Sequence, residues 1–165
     1  MNWSLTTGNF VMDAYITALN LLSRRELSAR QLRDRLVRRK FEPQEVDETI
    51  ARLLRDRTLD DRRVALASAR MEAAIKHRGR RRVLQRIQQL GVNKDTAKAA
   101  VDEVFTEVDE AALLDHALER RLKGATARSL DRAGTARIVR SLVGQGFDAH
   151  QVFARLRRKG NEVDE

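Results

Sequence analysis

One spacing recurs three times along the chain and limits its fold more than any other feature. In the first copy Leu32, Leu36, Phe41, Val46 and Ile50 are separated by four, five, five and four residues. Val83, Ile87, Val92, Ala97 and Val101 repeat the pattern, and so do Ile138, Leu142, Phe147, Val152 and Leu156. A gap of four sets two side chains one turn apart on the same helical face, so each copy reads as two helices. The paired gaps of five bracket the turn between them. The turns carry matching residues. Glu42, Asn93 and Asp148 stand where an N-cap oxygen would meet the first free amides of the second helix, and Pro43 suits the first helical position. Lys40, Gly91 and Gly146 precede the apolar turn residue. The two glycines suit a left-handed C-terminal cap, and Lys40 closes its turn less ideally.

A further amphipathic stretch lies upstream of each pair, at Ala14 to Arg24, Val64 to Lys76 and Ala111 to Leu122, which gives each unit three helices. Ser28 and Gln31 form a capping-box pattern at the start of the first middle helix, and Gly79 and Gly134 occupy the equivalent breaks. The units fall at 13–56, 57–108 and 109–160, with an N-terminal tail at 1–12 and an acidic C-terminal tail at 161–165. Lys123 to Gly134 makes a longer break in the third unit and reads as a loop. A unit of roughly fifty residues buries too little surface to be very stable alone, so end-to-end stacking is the expected remedy. The expected fold is all-α: an elongated, curved array of three tandem three-helix repeats. Such an array offers a long face to an extended partner, a filament or a nucleic acid, rather than a pocket for a small molecule.

Composition agrees with helices. Charged residues make up 35% of the 165-residue chain and aromatics 4%, with a single Pro. Cysteine is absent, which excludes disulfides and thiolate metal sites and suits a reducing compartment. No apolar run approaches the ~20 residues of a membrane span, and the N-terminus lacks the order of a signal peptide, so a cytoplasmic setting is expected. The net charge of +9 favours a polyanion and is unevenly distributed. Arg24 to Lys40 holds eight basic and two acidic residues, and Lys76 to Arg86 six basic and none acidic. Ala99 to Glu119 reverses the sign with seven acidic residues and no Lys or Arg, and Arg120 to Lys159 is again basic.

Within the basic blocks, Arg30 and Arg81 are equivalent, as are Arg35 and Arg86, while Gln31, Arg82 and Arg137 share a third register. Guanidinium groups grip phosphates and carboxylates in a bidentate fashion, so a recurring row could hold DNA or an acidic protein surface; a solvated face is the bland reading. Arg24, Arg25 and Arg78 join these as candidates. Asp60 and Asp61 read as first-turn charge for the next helix rather than as metal ligands. The acidic run from Asp102 reads first as a solvated face and second as a contact for a basic partner. His77, His116 and His150 lie in different units without ligand spacing, so surface or packing roles are expected and no metal or cofactor. Trp3 and Tyr15 read as tail and core rather than as base-stacking platforms. There is no nucleophile elbow, P-loop or dinucleotide fingerprint, and no enzymatic activity is expected.

The segment from Leu21 to Leu36, with Arg24, Arg25, Ser28 and Gln31 ahead of Leu32, resembles the first-repeat signature of the RecX family. Leu59-Asp60-Asp61 followed by Ala65 is similar to the opening of that family's second repeat. Arg78-Gly79, Val83, Ile87 and Leu90-Gly91-Val92 continue the match, and Ile138 to Leu156 is a weaker third copy. The resemblance covers Ala14 to Lys159. Val64 stands where an aromatic is common, and Lys40 where Gly is frequent. The resemblance implies a monomeric regulator that binds the groove of the RecA recombinase filament and restrains its growth, ATP hydrolysis and strand exchange in recombinational DNA repair. DNA itself would be held nonspecifically through phosphates. The competing expectation is a helix-turn-helix reader of bare DNA. It is disfavoured because the third helices carry Glu45, Asp47 and Glu48, or Asp102 and Glu103, where a recognition helix presents Arg, Asn or Gln.

Overall fold

The structure is a computed structural model that describes residues 13–122 and 131–161. The proposed N-terminal tail, Trp3, most of the proposed C-terminal tail and residues 123–130 of the proposed loop lie outside the described residues. Nine helices and no strand occur among the described residues: α1 (Ala14–Leu22), α2 (Ala29–Arg38), α3 (Pro43–Arg55), α4 (Asp61–Arg70), α5 (Arg80–Gln89), α6 (Lys94–Glu107), α7 (Glu110–Leu122), α8 (Arg132–Gly144) and α9 (Ala149–Asn161). The all-helical class and the grouping by threes hold. By contact the chain divides into two compact units, one up to Asp61 and one from Arg62 onward.

The repeated apolar positions are the core. Fourteen of the fifteen are buried, and Phe41 is half-buried. They feed three hydrophobic clusters that share no residue. One joins Ala18 to Leu32, Leu36, Val46, Ile50 and Leu53 from α1, α2 and α3. A second joins Ala65 and Ala69 to Val83, Ile87, Ala97 and Val101 from α4, α5 and α6. The third joins Leu114 and Leu118 to Leu142, Phe147, Val152 and Leu156 from α7, α8 and α9.

The turns between the second and third helices close as their position in the repeat demands. Gly91 and Gly146 take left-handed φ values of 85° and 99°, and Lys40 takes 63° at the equivalent place despite its side chain. The Lys40 amide donates to the Val37 carbonyl at 2.9 Å and the Phe41 amide to Leu36 at 3.4 Å. This is the paired bonding of a Schellman cap, and it holds a residue that would otherwise resist the conformation by about 1–2 kcal/mol.

The helix starts agree in part. Ser28 and Gln31 make both bonds of the capping box, Asn93 accepts from the Thr96 amide, and Asp148 accepts from His150 and Gln151. Two expectations need correction. Glu42 precedes α3 but its carboxylate makes no capping bond, because its longer side chain does not fold back onto the first turn as Asn and Asp do. Gly134 is not a break: α8 starts earlier, with Asp131 as the cap accepting from the Gly134 amide at 2.6 Å. An aspartate three residues upstream is a stronger start signal than the glycine.

The middle helices of the first two triples borrow a cap from farther along the chain. The Asp61 carboxylate, in the first turn of α4, accepts from the Ala29 amide at 2.8 Å. At the equivalent place in α5, the Arg80 amide donates to Glu110 of α7, also at 2.8 Å. Asp61 thus supplies first-turn charge as expected, and its oxygen serves a neighbouring helix as well. Beside the start of α5 the Gly79 amide donates to the Gln145 carbonyl at 3.0 Å and the Arg81 amide to Gly146 at 3.3 Å. That helix start is therefore seated on the turn between α8 and α9.

Candidate functional site

Helix α2 presents its apolar face inward through Leu32 and Leu36, which leaves the arginines between them on the outer faces. Arg30 is exposed and Arg35 half-buried, while Arg24 and Arg25 are exposed in the turn that leads into the helix. Helix α5 repeats the arrangement. Val83 and Ile87 point into the core, Arg81 and Arg86 are exposed, and Arg82 is half-buried with its guanidinium on the Gln85 side chain at 2.9 Å. Arg78 is half-buried just before the helix, and Arg137 is exposed on α8. Arg82 and Arg86 are four residues apart and share one side of α5, with Arg81 turned toward the adjoining side. In α2 the residue matching Arg82 is Gln31, whose side chain is committed to the capping box. The rows are therefore similar but not identical.

Among the described residues Arg24, Arg25, Arg30, Arg81 and Arg137 make no side-chain hydrogen bond or ion pair. Their charge is available to a partner. Arg86 is partly engaged, with Nε 3.9 Å from the Glu72 carboxylate. Glu72 is a buried charged residue that sequence reasoning missed. It sits at 5% exposure and is held by the Lys76 ammonium at 2.7 Å, one turn along. The spacing of Glu72 and Lys76 could have signalled the pair.

The acidic run has its own internal partners. Asp102 pairs with Arg80 at 2.5 Å and Glu103 with Arg62 at 2.7 Å. Asp115 pairs with Arg155 at 2.5 Å and Glu119 with Lys159 at 2.9 Å. The Lys159 hydrogen bond and charge, together with His116, hold the Glu119 carboxyl below the usual glutamate range. In the first unit Asp56 is similarly lowered by hydrogen bonds from Thr58, with Arg52 and Arg55 adding to the effect. Tyr15 packs against the first core, and its ring lies 3.9 Å under the Arg52 guanidinium, a packing position rather than a platform for bases. His77 and His116, far apart in sequence, pack with their ring centroids 5.8 Å from each other.

These elements have counterparts in known proteins. Residues 14–53 match the family model described as RecX, first three-helix domain. The protein called Regulatory protein RecX in Halorhodospira halophila (strain DSM 244 / SL1) is 35% identical over 139 residues, covering 83% of this chain and 82% of that one. The chain belongs to the RecX family. A second RecX relative, from Treponema pallidum (strain Nichols), is 35% identical over 122 residues, covering 73% of this chain and 74% of its own. The crystal structure of RecX from Lactobacillus salivarius superimposes with a TM-score of 0.77 over 90% of this chain and 94% of that one, at 17% identity. That likeness extends the fold of the RecX family beyond the first three helices. No helix among the described residues is long and apolar enough to cross a membrane.

Proposed function

We propose that this RecX-family chain is a non-enzymatic cytoplasmic regulator that binds the RecA nucleoprotein filament as a monomer and restrains its growth, ATPase and strand exchange. The observation that carries this reading is the pair of matching arginine rows on α2 and α5, with Arg30 and Arg81 exposed at equivalent positions and without internal partners. A helical filament repeats its acidic and phosphate groups at regular intervals, and a repeat protein that carries the same cation on successive units meets such a partner at several points. Arg24, Arg25, Arg35, Arg78, Arg82, Arg86 and Arg137 extend the contact. DNA contributes through its phosphates without base readout.

The test replaces Arg30, Arg35, Arg81, Arg82 and Arg86 together with Glu and measures RecA ATPase and strand exchange beside binding to bare duplexes of varied sequence. The wild-type chain is expected to inhibit both activities and to bind bare duplex weakly and without sequence preference. The variant is expected to lose inhibition at least tenfold. Arg30, Arg81 and Arg86 are exposed, where a substitution costs on the order of 0.5 kcal/mol, and Arg35 and Arg82 are half-buried. A thermal melt beside the assay therefore checks that the variant stays folded, and the triple change Arg30→Glu, Arg81→Glu and Arg86→Glu serves as its control. Inhibition equal to wild type would show that the arginines are a solvated face. Tight, sequence-selective binding to bare duplex would favour a helix-turn-helix reader instead.

A further inference from the structure

The arginine rows leave one basic feature of the second unit unused. Helix α4 runs into a π-helical turn, Met71–Ile75, and the chain then leaves through Lys76 and His77. His77 is a non-glycine residue at φ 50°, held there as the Arg78 amide closes onto the Glu72 carbonyl at 3.0 Å. A π turn inserts an extra residue into a helix and redirects the chain beyond it, and such turns are frequent at functional sites. Here it delivers Lys76 and His77 to a cleft whose other walls are His116, Ala117, Arg120 and Arg121 of α7 and Gln145 at the end of α8. The cleft encloses about 390 Å³, near the lower end of the ~300–1,000 Å³ typical of small-ligand sites.

Among the described residues three cations and two imidazoles line this space, and no carboxylate does. Two acids nearby are paired with lysines. Glu72 holds Lys76 from the core side, and Glu119 is turned to Lys159 while still close enough to feel the His116 charge. Arg121 spends one N–H on the neutral Ser141 hydroxyl, and neither Arg120 nor Arg121 has an ion pair among the described residues. His77 Nδ1 is sealed from solvent and has no partner. In the tautomer that leaves Nδ1 bare, the ring proton sits on Nε2 and can be donated to a ligand. The histidine rings are tilted by 59° and do not stack flat on one another.

We propose that this cleft is a phosphate site, taking an oxyanion either as free phosphate or as the phosphodiester of a nucleic-acid strand. Arg120 and Arg121 supply the charge and the forked donors, and His77 and His116 supply ring N–H donors. None of these residues belongs to the arginine rows, so the site stands or falls independently of filament binding.

The experiment tracks the ring signals of the three histidines in the full chain by NMR while inorganic phosphate is added at ionic strength held constant with chloride. His77 and His116 are expected to shift saturably, with His150 unmoved as an internal control. Arg120→Gln, an exposed change, is expected to weaken the response at least tenfold with the thermal melt unchanged. A second arm adds short oligothymidylate. The same two rings shifting at lower concentration than with phosphate assigns an esterified source, and a response to phosphate alone assigns the free anion. Equal shifts in chloride alone, all three histidines moving together, or an undiminished response in Arg120→Gln would each overturn the proposal.

Discussion

Replacing Gly79 with alanine tests how the second and third triples of helices are joined. Its φ of −71° suits any residue, so the expected damage is purely steric. A methyl group built there would lie 2.6 Å from the carbonyl carbon and oxygen of Gly146 and 2.7 Å from the Phe147 amide nitrogen. All three are backbone atoms, and Phe147 is anchored in its own core at 1% exposure, so the turn cannot swing aside as a side chain would. Reaching ordinary contact at 3.4 Å requires a retreat of about 0.8 Å. That would stretch the bonds from the Gly79 amide to Gln145 and from the Arg81 amide to Gly146, now 3.0 and 3.3 Å, beyond useful length. Two such bonds contribute about 1 kcal/mol each, and overpacking adds roughly 1–3 kcal/mol. Lower chain entropy in the unfolded state offsets some ~0.4–1 kcal/mol. The expected loss is about 2–5 kcal/mol in urea unfolding monitored by circular dichroism. Gly79→Ser should be equally harmful, although serine is a better cap and Ser28 fills the same place in the first triple. Gly144→Ala, with nothing within 4 Å of the added methyl and a helical backbone, should be neutral or stabilise by up to ~1 kcal/mol. A loss below about 1 kcal/mol for both Gly79 variants would refute the close approach.

The cores and the ion pairs carry further expectations. Leu36, Ile87 and Leu142 are each fully buried in a different cluster, so Leu36→Ala, Ile87→Ala and Leu142→Ala should each cost about 2–5 kcal/mol in thermal or urea unfolding. Hydrogen exchange should show the largest loss of protection in the triple that carries the change. Because the Glu119 carboxyl is lowered in the folded state, the stability it contributes is present above the usual glutamate value and lost as pH falls through the folded value. Melting curves across roughly pH 3 to 5 should therefore be less steep in pH for Glu119→Gln than for wild type. An identical pH profile would show that the Lys159 contact is fully screened.

The core was legible because a repeated spacing of apolar residues is a direct consequence of backbone geometry. Even the left-handed Lys40 is marked by its position between helices, though not by its residue type. The hidden features depend on tertiary neighbours. Nothing local distinguishes Gly79 as a point of close approach from Ser28 as a cap, since the difference is the α8–α9 turn seated on one of them. Asp131 overrides Gly134 as the start of α8 because a side-chain cap outweighs a flexible residue. Of the arginines, exposure can be read from helical phase, but Arg86 beside Glu72 cannot be separated from Arg81 without the fold. His77 and His116 fall in different repeats, and only the fold brings their rings together.

The borrowed caps on α2 and α5 give the chain a direction in time. Each oxygen that completes a middle helix lies farther along the polypeptide, so during synthesis the Ala29 amide waits for Asp61 and the Arg80 amide for Glu110. Growth from the N-terminus therefore finishes each of these triples only after the opening turn of its successor has emerged from the ribosome. A chain cut short after α6 would carry an open helix end, whereas one lacking α1 to α3 would retain the cap on α5.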